Sequence, residues 1–187
     1  CAYIPTVGLA TWLPSLYVRV AHLAPTQSLL LTVLSTSVGL ILTYVVAFRL
    51  IDGLGRKPVF TLGFGGMAAG ALIGVLEIAV FHVQGWQGLF IAAVVMSVFL
   101  GLNAQGAYLY TSELFPTRMR GWASSTGRGA GLVASIIAPI AVGALLASSL
   151  GVAGVFGLFA LMNVLGVIVI RTLGVETKRA VLEDISV

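Results

Sequence analysis

The chain has 187 residues, 59% of them hydrophobic and 9% charged, with a net charge of +4. A soluble domain carries roughly 25% charged residues, so this chain lacks the polar surface to be one, and a mean hydropathy of +1.09 assigns it to the membrane. The basic excess lies in short segments between apolar runs, which excludes a nucleic-acid-binding patch, and the single cysteine, Cys1, excludes an internal disulfide or a cysteine-based metal cluster.

A membrane-crossing helix needs about 20 apolar residues, and six runs in the sequence qualify. The first, about Ala2 to Val18, is short and holds Pro5 and Pro14, which membrane helices tolerate when neighbours satisfy the freed carbonyls. It begins almost inside an apolar run without an initiator Met, so a segment of a longer protein is expected. A loop from Arg19 to Gln27 follows. The second run, about Ser28 to Phe48, has no charge, and a glycine-rich charged turn from Arg49 to Pro58 ends it. The third, about Val59 to Phe81, contains Glu77; a brief loop from His82 to Trp86 leads to the fourth, about Gln87 to Tyr110. A polar island, Thr111 to Gly121, reads as a loop outside the hydrocarbon. The fifth run, about Trp122 to Ala147, contains Arg128. After a tight turn comes the sixth, about Val152 to Ile170, and the polar tail beyond Arg171 reads as an amphipathic surface helix.

Barrel strands show ten-residue segments of alternating polarity; these runs are about twice as long and apolar on all faces, so helices are expected. Gly63, Gly66, Gly70 and Gly74 recur at three- and four-residue spacing, as do Gly127 and Gly131, the pattern that lets membrane helices approach closely. Lysine and arginine cluster in the segment after the second run, in the island and in the tail, while the opposite loops hold only Arg19. The positive-inside rule puts the first group, segments 49–58 and 111–121 and the tail, in the cytoplasm. The protein is read as a multi-pass integral membrane protein in contact with lipid.

Charges inside a span cost roughly 2.5–3.5 kcal/mol at the bilayer centre on insertion scales, which makes each a functional candidate. Arg128 either snorkels back to the headgroups or points into a water-filled cavity and holds an anion with its planar fork. Gly127, Gly129 and Gly131 leave room around it. Glu77 either reaches the interface or carries a proton. Asn103, Gln105 and Tyr108 of the fourth run, with Tyr3, Thr6 and Trp12 of the first, either line a solute path or bond their neighbours. Asp52, Arg56, Lys57, Glu113, Arg118 and Arg120 share one membrane face, and Glu176 lies on the tail. They are either solvated loop charges or a latch whose pairs, worth about 0–1 kcal/mol each, bias a two-state equilibrium. No nucleophile–base pair, metal-ligand spacing or phosphate-cradling loop is present, so no enzyme chemistry, metal or cofactor is expected.

Three motifs carry a family resemblance. Asp52-Gly-Leu-Gly-Arg-Lys57 resembles a D-x-x-G-R-[RK] loop. Ser112-Glu-Leu-Phe-Pro-Thr-Arg-Met-Arg-Gly121 resembles E-[LS]-x-P-T-x-x-R-[GA]. Val175-Glu-Thr-Lys178, with Leu182-Glu183 after it, resembles a P-E-T-K-G…L-E tail, departing from it at Val175 and Arg179. Spaced around six spans, these are similar to the C-terminal half, helices seven to twelve, of a major facilitator superfamily transporter of the sugar-porter or organic-ion type. The resemblance implies an all-α, six-helix bundle, residues 1–172, that is half of a twelve-helix fold, with residues 173–187 as a cytoplasmic tail. It implies an N-terminal six-helix half as partner and a solute site between the halves. Arg56, Glu113 and Arg118 would belong to a cytoplasmic latch of the outward-facing state. Arg128 matches a position where the organic-ion branch reads substrate charge, which implies a small organic anion moved by proton-coupled alternating access. The first run lacks the glutamines normal for sugar specificity, although a sugar or polyol porter stays open. So does a non-transporting scaffold or sensor.

Overall fold

The computed structural model describes residues 2–80, 85–114, 117–174 and 176, with the side chains of residues 50–54, 80, 108–109, 111–114 and 117 outside the description. Six α-helices follow one another: α1 (Tyr3–Ala21), α2 (Pro25–Leu54), α3 (Arg56–Val75), α4 (Trp86–Leu114), α5 (Thr117–Ala147) and α6 (Gly151–Leu173). A π-helical segment, Leu76–Val80, extends α3. Five of the six, α2 to α6, contain stretches long and apolar enough to cross a membrane. The helix of the first predicted run, α1, falls outside that set.

Two predicted loops are corrected. The charged turn at 49–58 is helical on both sides of Gly55, and most of the polar island at 111–121 is helical, with α4 reaching Leu114 and α5 starting at Thr117. Charge marks where a chain leaves the hydrocarbon, but arginine, lysine and glutamate are good helix formers, so the helices run on past the apolar core. What does break the chain is Gly55, at φ 92° and ψ 170°, backbone that a side chain makes costly. The predicted surface helix of the tail lies outside the described residues.

Helix α3 is the central element. It packs on α4 and α6, while α2 leans on α4 and α1 on α5. Its glycines divide between two partners: Gly66 receives the Phe99 ring and Gly70 the Met96 side chain of α4, while Gly74 receives Phe156 of α6. In the hydrocarbon there is no hydrophobic force between helices, so such close backbone approach supplies the dispersion energy of association. Leu13, Leu16, Met96, Val142, Phe156 and Phe159 form the buried centre. The periphery is inside-out for a soluble protein: 17% of the α2 span is buried against 56% of α3, and Leu30, Ile41, Tyr44 and Phe48 stand exposed along α2.

A buried hydroxyl ties α2 to α4. The buried Thr43 hydroxyl donates to the Val98 carbonyl at 3.0 Å and to its own helix at Gly39. Thr43→Val keeps the shape and removes the bond; the expected loss is about 0.6 kcal/mol, the mean for such bonds within membranes. A thermal unfolding series in detergent, showing a small drop in midpoint, checks this.

Candidate functional site

The exposed surface of α5 changes character along its length. From Leu132 to Ile140 it shows bulky apolar side chains: Leu132, Val133, Ile136, Ile137 and Ile140. From Gly121 to Ala130 it is mostly small and polar, with Ser124, Ser125, Thr126, Gly127, Arg128 and Gly129 all exposed. Ser125 and Thr126 satisfy their hydroxyls on carbonyls of their own helix, at Gly121 and Trp122. Arg128 has no such outlet: among the described residues it has neither a hydrogen bond nor an ion pair. It stands eleven residues past Thr117, about 16 Å along the axis at 1.5 Å per residue. A methyl added at Gly127 or Gly129 would meet nothing within 4 Å. A cation with open space on both sides, on a face too polar for hydrocarbon, is suited to meet an anion in water.

Aromatic rings of α1 border this face. Tyr3 lays its ring directly on Gly131, where a Cβ would collide with it. Gly131 is three residues past Arg128, on the same side of the helix. Higher up, Trp12 reaches Gly143, whose Cβ would lie 3.6 Å from the indole. The Trp12 indole N–H is buried and unpartnered, a group that costs free energy until something accepts from it. Guanidinium, phenol and indole thus follow one helix–helix seam. Gly127, expected as a packing contact, is open instead; Gly131 is the packing position.

The other predicted residues lie elsewhere. Asn103 is buried against α3, its amide nitrogen 3.5 Å from the Met67 sulfur and its oxygen pressed on Gly63, so it holds two helices together rather than lining the α1–α5 seam. Tyr108 is on α4 with its side chain outside the description. Glu77 sits in the π-helical segment that follows α3.

The charged segments converge in part. Glu176 accepts hydrogen bonds from the backbone N–H of Arg56 at 2.8 Å and of Lys57 at 3.1 Å. These are the first two residues of α3, whose N–H groups have no intrahelical partner, and the carboxylate faces the positive end of the helix dipole. Gly55 makes the approach feasible, since a Cβ there would stand 3.0 Å from Glu176 Oε1. Beside the side-chain pairing that the charge pattern suggests, the tail carboxylate thus makes a backbone contact. The available signal was a glycine directly before two basic residues at a helix start. Arg118 is exposed and Arg120 half-buried, with its Nε unpartnered. The side chains of Asp52 and Glu113 lie outside the description.

Comparison with known proteins adds a lineage. A family model described as "Sugar (and other) transporter" matches residues 18–187. The chain is 33% identical over 185 residues to a niacin transporter, NiaP, of Acinetobacter baylyi, covering 95% of this chain and 39% of that protein. It is 30% identical to a putative niacin/nicotinamide transporter of Bacillus subtilis, over 98% of this chain and 44% of the relative. A galactose-proton symporter of Escherichia coli is 30% identical over 148 residues, 78% of this chain and 32% of the symporter. The chain therefore spans about two fifths of the length of the first two relatives.

Proposed function

The chain belongs to the sugar (and other) transporter family of the major facilitator superfamily, and on that premise we propose that it forms half of a carrier that moves a small aromatic carboxylate by alternating access. It is a membrane transporter component, not an enzyme. The observation that carries the substrate class is Arg128, a cation with no partner among the described residues, on the polar face of α5 beside the Tyr3 ring. A guanidinium fork pairs a carboxylate through two parallel hydrogen bonds, and aromatic rings supply flat apolar contact for a ring substrate. Niacin, named for two relatives, is a pyridine carboxylic acid and has both parts. Arg128 binds the carboxylate in this reading; Tyr3 and Trp12 border the ring. Asn103 is left out because it is buried against α3 and not on the α1–α5 seam.

An N-terminal half covers the exposed faces of α2 and α5, and the charged ends at 49–58, 111–121 and 171–179 face the cytoplasm. There Glu176, Arg56 and Lys57, with Asp52, Glu113, Arg118 and Arg120, latch the helix ends in one conformation. Proton coupling supplies the driving force. In vesicles containing the natural-length protein, labelled nicotinate uptake is expected to fall severalfold on adding a protonophore. Uptake indifferent to the protonophore rejects the coupling, and no uptake of any carboxylate rejects the substrate class. The E. coli relative supports a second reading, a sugar–proton symporter; inhibition by neutral hexoses and not by carboxylates selects it.

A further inference from the structure

Tyr3 brings more to the α5 face than a flat ring. The ring atoms that a Cβ on Gly131 would meet are Cε2, Cζ and Cδ2, and Cζ is the carbon that bears the hydroxyl. The hydroxyl end of the phenol therefore stands at Gly131. That position is three residues past Arg128 on the same side of the helix, where Cβ positions are about 5–6 Å apart. A carboxylate attached to a six-membered ring spans such a gap. Among the described residues the Tyr3 hydroxyl makes no hydrogen bond, although a phenol both donates and accepts. The Gly131 carbonyl beside it is already taken, because the Ser135 hydroxyl donates to it at 3.1 Å.

Ser124, four residues before Arg128, is a second hydroxyl without a hydrogen bond among the described residues. It is the poorer reader of a ligand. Its neighbours Ser125 and Thr126 turn their hydroxyls onto carbonyls four residues back, and Ser124 has the same local outlet on its own helix. The Tyr3 oxygen is carried too far from its own backbone for that. Its proton stays available to a group arriving from outside α1.

We propose that the Tyr3 hydroxyl is a specificity-determining group. With the carboxylate on Arg128, it donates a hydrogen bond to an acceptor atom in the substrate's ring, and so selects a pyridine carboxylate over a benzene carboxylate. This rests on the carboxylate-carrier reading and deepens it: the phenol oxygen reads the ring that the phenol face only borders. A benzene ring presents a C–H where pyridine presents a nitrogen lone pair. The phenol O–H is then left without an acceptor, and an unpaired donor against a bound substrate is what lets such a site discriminate.

The measurement is inhibition of labelled nicotinate uptake by unlabelled nicotinate and by benzoate, in proteoliposomes holding the natural-length protein. The quantity read is the ratio of the two inhibition constants, in which differences in expression cancel. Tyr3→Phe keeps the ring on Gly131 and removes only the hydroxyl. It is expected to shift the ratio roughly three- to tenfold toward benzoate, the size of one neutral hydrogen bond, with benzoate affinity unchanged. Ser124→Ala is expected to keep the wild-type ratio. A ratio unmoved in Tyr3→Phe, or moved by Ser124→Ala instead, overturns the assignment. Equal weakening of both acids in Tyr3→Phe also overturns it, since that is the mark of a merely structural phenol. If the wild type takes up no nicotinate, the carrier reading falls and this inference with it. If uptake is present and Tyr3→Phe leaves the ratio alone, only the Tyr3 assignment falls.

Discussion

Replacing Arg128 by alanine is expected to cut carboxylate uptake by about 30-fold or more while leaving the protein at least as stable. Truncating one partner of a close hydrogen-bonded charge pair costs about 2–5 kcal/mol, and each 1.36 kcal/mol is about tenfold. The stability half of the expectation follows from exposure: the Arg128 side chain fills no cavity and has no partner among the described residues, so its loss removes a charge from a membrane helix and leaves no hole behind. Such exposed changes are normally within about 0.5 kcal/mol. Lysine keeps the charge but not the planar fork, so Arg128→Lys is expected to recover part of the uptake with weakened discrimination between carboxylates. If Arg128 instead snorkels to headgroups, alanine will leave transport intact. Equal uptake by wild type and Arg128→Ala, at equal surface expression, rejects the assigned role.

The helices were legible because hydrocarbon imposes one rule: backbone groups must be satisfied within the segment. That rule locates α2 to α6 from length and hydropathy. It does not locate their ends, because the polar residues at 49–54 and 111–114 are compatible with helix, whereas Gly55, at φ 92°, carries a local stop. The glycine ladder of α3 was readable as a packing face, but which partner meets each glycine was not: Gly66 and Gly74 differ by two turns yet receive rings from different helices. Arg128 was legible as an anomaly of charge in an apolar run. Its setting was not, since the exposure of Ser124 to Ala130 depends on how far α1 and α4 cover α5. Asn103 shows the limit most clearly. An asparagine in a span looks the same in sequence whether it faces a solute or, as here, the Met67 sulfur. Glu176 was legible as one acid in a charged tail, but its acceptance of two N–H groups from the far side of the sequence rests on three-dimensional placement alone.

That same contact gives the second large effect. Gly55→Ala is expected to weaken the latch through two separate terms. The first is backbone: a side chain at φ 92° and ψ 170° costs about 1–3 kcal/mol. The second is contact, because the new Cβ would stand 3.0 Å from Glu176 Oε1 and push the carboxylate off the N–H groups of Arg56 and Lys57. Glu176→Gln keeps an acceptor but loses the charge; hydrogen bonds to charged groups exceed neutral ones by about 1 kcal/mol, less in solvent, so about a fivefold shift in conformational balance is the upper expectation. The two changes share one contact and are not additive: in a Glu176→Ala background Gly55→Ala retains only its backbone cost. Lys57→Gln leaves both N–H groups in place and is expected to do little. The readout is the accessibility of Ser124→Cys, on the exposed face of α5, to a membrane-impermeant thiol reagent applied from the latch side; Cys1 is the only native cysteine in this chain. Weakening a latch that closes this side raises labelling in Gly55→Ala and Glu176→Gln and leaves Lys57→Gln unchanged. If thermal stability falls in Gly55→Ala while labelling stays at the wild-type rate in all three, the carboxylate is only a helix cap, and the latch assignment for Glu176 is wrong.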